Sequence, residues 1–372
     1  MSRRFHEKGY EVFIAETSSH HICRHSNAVK KHFVVPSPRF QPDEFIKTLV
    51  EICKTEKIDL VLPTFEEIFC LSKGKDLFPK HTKVFFEDYD TLDHLHNKWL
   101  FNQKIKTLGF NAPKSYLISS QEDLDAAPLS SSYILKPSYS RASLKIIKAD
   151  PSNPPKVKIN PLNPLVVQEY ITGKKYCSYS IAHEGKLSAH TTYPVGFSID
   201  GNSCLSFKAI EHPGVEKWVK TFAEKEKFTG QLAFDFIESA SGELYAIECN
   251  PRGTSGLHLF QEKDNLPQAF FSAESLIKPT CGFSKKIAWG MLLYGWKGEN
   301  LLGFVKNFVK VKDVVFSKSD IKPFLFQPSL FLVYMLRSLK LRESLPAMFT
   351  FDIDWNGDDA AMQDRLTLQK LH

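Results

Sequence analysis

The sequence predicts a mixed α/β and α+β protein with more than one domain, and three observations support this. First, the chain has 372 residues, which is more than one domain of ordinary size usually contains. Second, residues 2–63 alternate between helical and strand patterns, as the units of a parallel α/β sheet do. Third, residues 115–250 contain mostly short strands with two hairpin patterns, which is typical of an antiparallel α+β arrangement.

The N-terminal part is expected to form a small α/β domain. Residues 2–9 are predicted to be the end of a helix, and residues 10–15 a buried strand. A helix with one apolar face is predicted over residues 42–56, followed by a strand at residues 59–63. A doubly wound unit normally opens with a strand before its first helix. Either the start of this domain is truncated, or the domain has lost an edge.

The central part begins with a predicted helix over residues 92–108 and continues mainly in strands. A second helix is predicted over residues 213–227, with Pro213 at a starting position where its missing N–H costs nothing. Strands are predicted at residues 115–118, 133–136, 144–148, 165–171, 176–182 and 187–193, and a second hairpin pairs residues 231–238 with 243–250.

Composition excludes several classes of function. Lys and Arg number 48 against 42 Asp and Glu, a net charge of +6, which is too small an excess to indicate nucleic-acid binding. The seven cysteines are widely spaced with no CxxC pair, so neither a disulfide framework nor a zinc site is indicated, and a cytoplasmic location is expected. No stretch approaches the roughly 20 apolar residues of a membrane span.

The second hairpin carries the strongest chemical signal. If Ser241 and Gly242 form a two-residue turn, Asp235 stands directly opposite Glu248. The period of two places four residues of the second strand on one face: Leu244, Ala246, Glu248 and Asn250. Converging carboxylate and amide oxygens are the ligands that hard divalent cations prefer. The alternative is a pair of solvated acidic residues on an exposed hairpin, but the flanking segments LAFDFI and LYAIECNP are too apolar for that.

This hairpin resembles the metal and phosphate signature of the ATP-grasp superfamily, a carboxylate followed by ExNPR. Here Asp235 precedes the segment Glu248-Cys249-Asn250-Pro251-Arg252. Further similar features occur in the family's order: Asn97-Lys98 at a helix start, Lys136-Pro137 at a strand end, Gln168-Glu169-Tyr170-Ile171 before Gly173, and Phe228-Thr229-Gly230-Gln231. The resemblance covers about residues 92–262.

The resemblance implies an ATP-grasp fold in three parts. Residues 1–91 would form the pre-ATP-grasp α/β domain. Residues 92–282 would form the ATP-grasp domain, with a smaller lobe at about residues 114–170. Residues 283–372 would form a C-terminal extension that is mainly helical and packed on the core.

The resemblance also implies a ligand for each part of the site. Asp235, Glu248 and Asn250 would hold Mg²⁺ or Mn²⁺, and Arg252 and Lys136 would be catalytic. The residues implied in ATP binding are Lys98, Lys136, Ser143, Gln168, Glu169, Tyr170 and Ile171. Ser255 and His258 would lie beside the substrate. Two features depart from the family pattern: the loop PSYSRAS is poor in glycine, and Lys175 stands where a glutamate often holds the ribose.

The activity implied by the resemblance is that of an ATP-dependent ligase forming C–N bonds. Such an enzyme activates a substrate carboxylate as an acylphosphate and joins it to an amine, with ADP and phosphate as products. Its partners would be small-molecule carboxylate and amine substrates, and neither a nucleic acid nor a membrane is expected as a partner. Assembly as a homodimer is possible. Two alternatives also stay open: activation of bicarbonate, as in carbamoyl-phosphate synthase, and nucleotide binding without turnover.

The C-terminal part contains apolar stretches at residues 287–296 and 324–336 and a polar turn at residues 351–357. The apolar stretches are expected to be structural, and residues 324–336 to form a helix buried against the core. One alternative is attachment to a membrane surface, because basic residues follow at 337–342. Another is that Asp352 and Asp354 belong to a substrate site.

Overall fold

The computed structural model describes residues 1–140, 146–196, 198–199, 203–294, 305 and 308–357. The N-terminal part contains two pairs of parallel strands. Strand β1 (Phe13–Glu16) pairs with β2 (Lys31–Val34), and β3 (Leu60–Val61) pairs with β4 (Lys83–Val84). The helices of this part are α1 (Ser2–His6), α2 (Pro42–Thr55), α3 (Glu67–Lys73) and α4 (Tyr89–His96).

Helix α2 shows why this part folds as the sequence predicts. Pro42 stands in its first turn, where a backbone N–H has no helical partner in any case. The buried residues recur at helical spacing and join the largest core cluster: Phe45, Ile46, Leu49, Val50 and Cys53. The predicted helix over residues 42–56 is confirmed.

The predicted helix over residues 92–108 is in fact two helices, because the helical conformation is interrupted at Asn97. The backbone of Asn97 is extended, and its side-chain oxygen accepts hydrogen bonds from the N–H groups of Trp99 and Leu100. This capping satisfies donors that a new helix start would otherwise leave unpaired. Helix α4 therefore ends at His96, and α5 (Lys98–Thr107) begins at the next predicted site residue.

A four-stranded antiparallel sheet follows. Its strands are β5 (Ser115–Ile118), β6 (Tyr133–Pro137), β7 (Ile147–Ala149) and β8 (Leu165–Glu169), in the spatial order β5-β8-β6-β7, with the short helix α6 (Gln121–Ala126) between β5 and β6. Tyr133, Leu135 and Val167 form its small core. We call this the first sheet.

The second sheet is also four-stranded and antiparallel. It contains β9 (Lys174–His183), β10 (Lys186–Pro194), β14 (Gly230–Glu238) and β15 (Leu244–Asn250), in the order β10-β9-β14-β15. Helix α7 (Pro213–Glu226) packs on it through Trp218 and Phe222, whose rings contact Phe234 at centroid distances of 5.1 Å. These aromatic contacts belong to the largest core cluster.

The turn of the β14–β15 hairpin is longer than predicted. Ser239 N–H donates to the carbonyl of Glu243, and Glu238 pairs with Leu244, so the turn contains three residues rather than two. Phe236 pairs with Ala246 while Asp235 pairs with Glu248, so Ile247 is an extra residue that forms a β-bulge in β15. The bulge offsets the longer turn, and Asp235 still faces Glu248. The predicted opposition of Asp235 and Glu248 is confirmed, although the predicted turn is wrong.

The bulge also changes which residues share a face of β15. Leu244, Ala246 and Cys249 pack in the largest core cluster. Glu248 and Asn250 lie on the other face. The prediction that Leu244, Ala246, Glu248 and Asn250 share a face is therefore wrong, because the extra residue in a bulge reverses the alternation.

The remaining elements are short. Strands β11 (Ser198–Ile199) and β12 (Ser203–Cys204) pair with each other, and β13 (Ser206–Lys208), β16 (Ser284–Lys286) and β17 (Lys312–Asp313) form a three-stranded sheet. The C-terminal helices are α8 (Ala288–Tyr294), α9 (Lys322–Leu325), α10 (Gln327–Leu341) and α11 (Leu345–Met348).

The C-terminal part differs from expectation in one respect. Helix α10 has no buried residue, so the expectation that residues 324–336 form a buried helix is wrong. The helix is apolar on more than one side, and packing one side leaves the other uncovered. Of the helices that the structure describes, none has the length and apolar character needed to cross a membrane.

The polar turn at residues 351–357 returns to the N-terminal part. The Asp352 carbonyl accepts hydrogen bonds from Ser37 Oγ at 2.6 Å and from the N–H of Arg39, and its carboxylate contacts the Thr17 hydroxyl. Trp355 is buried and its ring stacks on Phe69 at 5.8 Å. These contacts support a structural role for the turn.

Candidate active site

A large cavity of about 1920 Å³ lies between the two sheets and the N-terminal strands. The described residues bring most of the predicted site residues to its wall. Those that line it are Lys136, Gln168, Glu169, Tyr170, Ile171, Asp235, Glu248, Asn250, Arg252, Ser255 and His258. They come from β6, β8, β14, β15 and the turn that follows β15.

Asp235 and Glu248 face each other across the hairpin. Burial, together with the negative charge of Glu248, raises the pKa of Asp235 to about 6, while a hydrogen bond from Cys177 and the charges of Lys98 and Lys136 lower it. Two carboxylates held this close repel each other unless a positive charge is shared between them. The pair is therefore suited to a divalent cation.

Lys136 is 2% exposed and lies at the end of β6. Its ammonium donates to Gln168 Oε1 and to the Ile247 carbonyl, at 3.0 Å each. Burial and the neighbouring Lys98 lower its pKa to about 8, against the attraction of Glu248 and Asp235. At neutral pH the ammonium form still predominates, so a buried positive charge faces the cavity.

Lys98 supplies a second positive charge. Its Nζ lies 3.6 Å from Glu248 Oε2 and donates to the Ser140 carbonyl at 2.7 Å. The backbone fixes it as well, because Lys98 N–H donates to the Ser138 carbonyl. Lys98 thus connects the start of α5 with the chain after β6 and with the β14–β15 hairpin.

The segment predicted to hold adenine is partly occupied by internal contacts. Gln168 is buried, and its side chain binds Lys136 and the Ser115 hydroxyl. Tyr170 N–H donates to the Ser132 carbonyl, whereas no backbone hydrogen bond of Ile171 is found within the described part of the chain. Gln168 therefore positions the lysine, and the residues after it are the ones left to contact a base.

Asn250 and Arg252 form a contact network beside the carboxylates. Asn250 Nδ2 donates to Glu248 Oε1 at 3.4 Å, and its Oδ1 accepts from Arg252 Nη2 at 3.0 Å. Oxygen and nitrogen of an amide are assigned from such networks, so a rotated amide would turn the oxygen toward Glu248. Arg252 is 7% exposed, and its guanidinium also lies over the Phe65 ring at 4.1 Å.

Sequence reasoning missed Glu66, which is buried and 186 residues away from its partner Arg252. Its Oε1 lies 3.5 Å from Arg252 Nη2, and its Oε2 accepts the Trp355 N–H at 2.8 Å. It also missed Cys177, which is paired with Asp235 in the sheet. No local pattern marks either residue, since only the tertiary fold brings them to the site.

His258 and Ser255 lie on the 3-10 turn Ser255–Leu259, beyond Arg252. Burial lowers the pKa of His258 to about 3, with further contributions from the N-terminal amino group and Lys285. The ring stacks near Phe207 at 6.2 Å. His258 is therefore neutral at physiological pH and could bind a substrate group, but it is not an acid at that pH.

Of the two departures from the family pattern, the structure describes Lys175 but only part of the glycine-poor loop. Lys175 lies on β9 and lines the cavity. Residues 141–145, which include Ser143 and the end of the glycine-poor loop, lie outside the described residues.

The oxygen ligands at this site suit a cation that also binds water or phosphate oxygens at its other coordination positions. Within the described ranges, no group of three or more His, Cys, Asp or Glu side chains could by itself hold a metal ion. Mg²⁺ commonly uses one or two carboxylates and completes its shell with water and phosphate oxygens. Asp235 and Glu248, with the oxygen of Asn250 if its amide rotates, meet that requirement.

Comparisons with known proteins agree with this geometry. A family model described as an ATP-grasp domain matches residues 95–256. The chain is similar to the L-amino acid ligase from Bacillus licheniformis, with 14% identity, a TM-score of 0.55, and coverage of 72% of this chain and 70% of that chain. It is also similar to N5-carboxyaminoimidazole ribonucleotide synthetase in its ADP complex, with 16% identity, a TM-score of 0.58, and coverage of 76% of each chain.

A third similar structure is the biotin carboxylase domain of the Hydrogenobacter thermophilus 2-oxoglutarate carboxylase in complex with MgADP, ADP and bicarbonate. It shows 14% identity, a TM-score of 0.53, and coverage of 68% of this chain and 61% of that chain. At these identities the structures establish the fold. The predicted fold class and the resemblance stated from the hairpin motif are confirmed. Residues 95–256 of the chain are an ATP-grasp domain.

Proposed function

We propose that the protein is an ATP-dependent ligase that activates a substrate carboxylate as an acylphosphate and joins it to an amine. The observation that carries the proposal is that Asp235 and Glu248, which line the cavity, lie beside two lysines. Lys98 Nζ lies 3.6 Å from Glu248, and the buried Lys136 interacts electrostatically with both carboxylates. Carboxylates for a divalent cation and lysines for phosphate oxygens are the groups that phosphoryl transfer requires.

In the proposed reaction, a carboxylate oxygen of the substrate attacks the γ-phosphorus of ATP, and the bond between that phosphorus and the β,γ-bridging oxygen breaks. An acylphosphate and ADP result. The amine nitrogen then attacks the acyl carbon, an amide bond forms, and inorganic phosphate leaves with the electron pair of the acyl C–O bond. The amine releases its proton to the medium. No nucleophilic side chain is needed.

Each side chain has a proposed role in positioning and charge neutralisation. Mg²⁺ or Mn²⁺, held at Asp235, Glu248 and Asn250, would supply neutralisation of phosphate charge. The two lysines, and Ser143 in the loop after β6, would hold the phosphates, and Glu169, Tyr170 and Ile171 the base. Arg252 would orient the phosphoryl or carboxylate group with its planar fork. Ser255 and His258 would lie beside the acyl group.

The ligand state of two similar structures supports the choice of nucleotide and metal. One is an ADP complex and another holds MgADP. We also propose the division of the chain at residues 91 and 282, small-molecule carboxylate and amine substrates, a cytoplasmic location, and a homodimer as the assembly to be examined first.

Hydroxamate trapping is the direct test. The protein is incubated with Mg-ATP, hydroxylamine and a panel of carboxylic acids, because an acylphosphate reacts with hydroxylamine to give a coloured hydroxamate. We expect hydroxamate and ADP in equal amounts with one class of acid and neither without acid. The same assay with Glu248→Gln controls for contaminating kinases. No acid-dependent ADP release with any acid would contradict the proposal.

Two alternatives have a specific observation behind them. Bicarbonate activation is favoured by the bicarbonate in one similar structure, and it predicts ADP release that depends on bicarbonate. Nucleotide binding without turnover is favoured by Lys175 on the cavity wall and by the engagement of Asn250 Oδ1 with Arg252. Calorimetric binding of Mg-ATP with no ADP release under any condition would establish that alternative.

A further inference from the structure

Helix α10 presents an uncovered apolar stripe. Leu332, Met335, Leu336 and Leu339 follow one another at the spacing i, i+3, i+4 and i+7 and therefore lie on one face of the helix. All four side chains are exposed, from 39% for Met335 to 70% for Leu339. We call these four residues the α10 stripe.

The opposite side of α10 already has partners within the protein. Leu330 and Tyr334 line the large cavity, the ring of Phe331 stacks on Trp289 at 6.2 Å, and Tyr334 contacts Phe349 at 4.9 Å. The helix is thus held on the molecule through one side. The stripe is the side that points away.

Exposed apolar side chains concentrate in this part of the chain. Of the 22 large apolar side chains that are exposed among the described residues, 12 lie between positions 305 and 349. Besides the stripe these include Val309, Ile321, Leu325 and Phe326. Single exposed apolar residues are ordinary, but a concentration in one segment marks an interaction surface.

Positive charge is concentrated in the segment of the chain that contains the stripe. The described residues 308–343 contain seven Lys and Arg side chains, all exposed: Lys310, Lys312, Lys318, Lys322, Arg337, Lys340 and Arg342. Asp313 and Asp320 are buried, and Asp320 pairs with Arg3 at 2.8 Å. Glu343 is the one exposed acidic residue in these described positions. This segment therefore exposes both apolar and cationic side chains.

We propose that the α10 stripe and its flanking basic residues dock on an anionic lipid membrane surface, with the helix lying in the plane of the interface. Helix α10 has 15 residues, and a span needs about 20, so the helix lies on the membrane rather than crossing it. Apolar side chains of an interfacial helix enter the region below the headgroups, while lysine and arginine stay with the anionic headgroups. This inference does not depend on the proposed function.

Charge and composition favour lipid over a protein partner. A second copy offers the same excess of basic residues in this segment, with only Glu343 exposed to compensate, so its charge does not complement that of the first copy. Anionic headgroups would compensate all of these charges. The stripe is also aliphatic, whereas the residues that dominate protein interfaces are mainly Trp, Tyr and Arg.

Co-sedimentation with vesicles tests the proposal on the full chain. Vesicles of phosphatidylcholine alone are compared with vesicles that also contain phosphatidylglycerol. We expect binding to the anionic vesicles and at least about tenfold weaker binding to the neutral ones, because each basic residue near the surface adds attraction. Binding should also weaken in about 0.5 M salt, where charges are screened within a few ångströms.

Two variants and a matched control locate the surface. Combined Leu332→Ser, Leu336→Ser and Leu339→Ser should lower binding to anionic vesicles at least about tenfold, and so should combined Lys340→Glu and Arg342→Glu. Leu77→Ser, which changes a 60% exposed leucine in the N-terminal part, should leave binding unchanged. Circular dichroism and light scattering verify fold and oligomeric state for every variant.

The possible results distinguish a lipid membrane from a second copy of the chain as the partner of the α10 stripe. Absence of binding to anionic vesicles, or binding that the stripe variant leaves intact, overturns the proposal. A stripe variant that turns a dimer into a monomer, in a protein that does not bind vesicles, assigns the surface to a second copy instead. Loss of vesicle binding in both variants with the control intact supports the proposal.

Discussion

Arg252 and Glu66 form a buried ion pair in which Nη2 and Oε1 are 3.5 Å apart. Glu66 also accepts the Trp355 N–H through its other oxygen. One carboxylate therefore connects the N-terminal part, the arginine after the β14–β15 hairpin, and the C-terminal turn. Removing either partner of a buried ion pair leaves an uncompensated charge, which is costly.

Glu66→Gln should lower kcat at least about tenfold and leave the KM for ATP nearly unchanged. Glutamine keeps an acceptor for the Trp355 N–H but removes the charge that holds Arg252, so the guanidinium loses its fixed orientation. Steady-state kinetics with ATP and the activated acid measure the effect. Glu11→Gln is the control, since it breaks the exposed pair with Lys30, and such pairs contribute little. An unchanged kcat would show that Arg252 needs no partner.

Nucleotide affinity should fall as the pH rises through about 8. Burial lowers the pKa of Lys136 to about 8, so its ammonium loses a proton in that range and with it the attraction for phosphate oxygens. Above pH 8 the affinity for ATP should fall by up to roughly tenfold per pH unit. Isothermal titration calorimetry between pH 7 and pH 9 provides the measurement.

The lysine prediction has an internal control. Lys136→Arg keeps the positive charge at all accessible pH values, so the decline between pH 8 and pH 9 should disappear even if affinity is lower overall. Lys106→Arg changes an exposed lysine on α5 and should leave the pH profile as in the wild type. A decline that persists in Lys136→Arg would assign the titration to another group.

Glu248→Gln should retain the fold and lower Mg²⁺-dependent ATP turnover at least about 100-fold, because a metal that neutralises phosphate charge contributes several kcal/mol to the transition state. Mn²⁺ binding followed by electron paramagnetic resonance gives a readout independent of turnover. The matched control is Glu243→Gln, which lies in the turn of the same hairpin and is exposed. Turnover within a few-fold of the wild type would contradict the metal assignment.

The hairpin shows how far the sequence could predict the site. A two-residue turn at Ser241 and Gly242 predicts that Asp235 faces Glu248, whereas the structure pairs the same two residues through a longer turn and a bulge at Ile247. Spacing cannot reveal a bulge, because one extra residue is absorbed locally with no fixed sequence marker.

Contacts between residues that are distant in sequence could not be predicted, because only the folded chain brings these residues together. Gln168 was predicted to hold adenine, whereas its buried side chain binds Lys136. Glu66 meets Arg252 only in the folded chain. Strands β2 and β4 were also missed, since four and two residues carry too little periodicity to be recognised.

The C-terminal turn should contribute to stability through Trp355, which is 6% exposed and contacts Phe69 at 5.8 Å and Tyr89 at 5.9 Å. Trp355→Ala should lower the free energy of unfolding by about 3–5 kcal/mol, the usual cost of removing a large buried aromatic side chain. Thermal and urea unfolding measure the loss. Leu339→Ala changes a residue that is 70% exposed and should cost less than about 0.5 kcal/mol.

Deletion of residues 283–372 should accordingly give insoluble protein, because it removes Trp355 from the largest core cluster together with the strand that pairs with β13. The combined change Asp352→Asn and Asp354→Asn separates structure from substrate binding. Since the Asp352 carboxylate contacts Thr17, we expect a lower melting temperature and a proportionate loss of activity. An unchanged melting temperature with lost ligase activity would instead place these carboxylates in the substrate site.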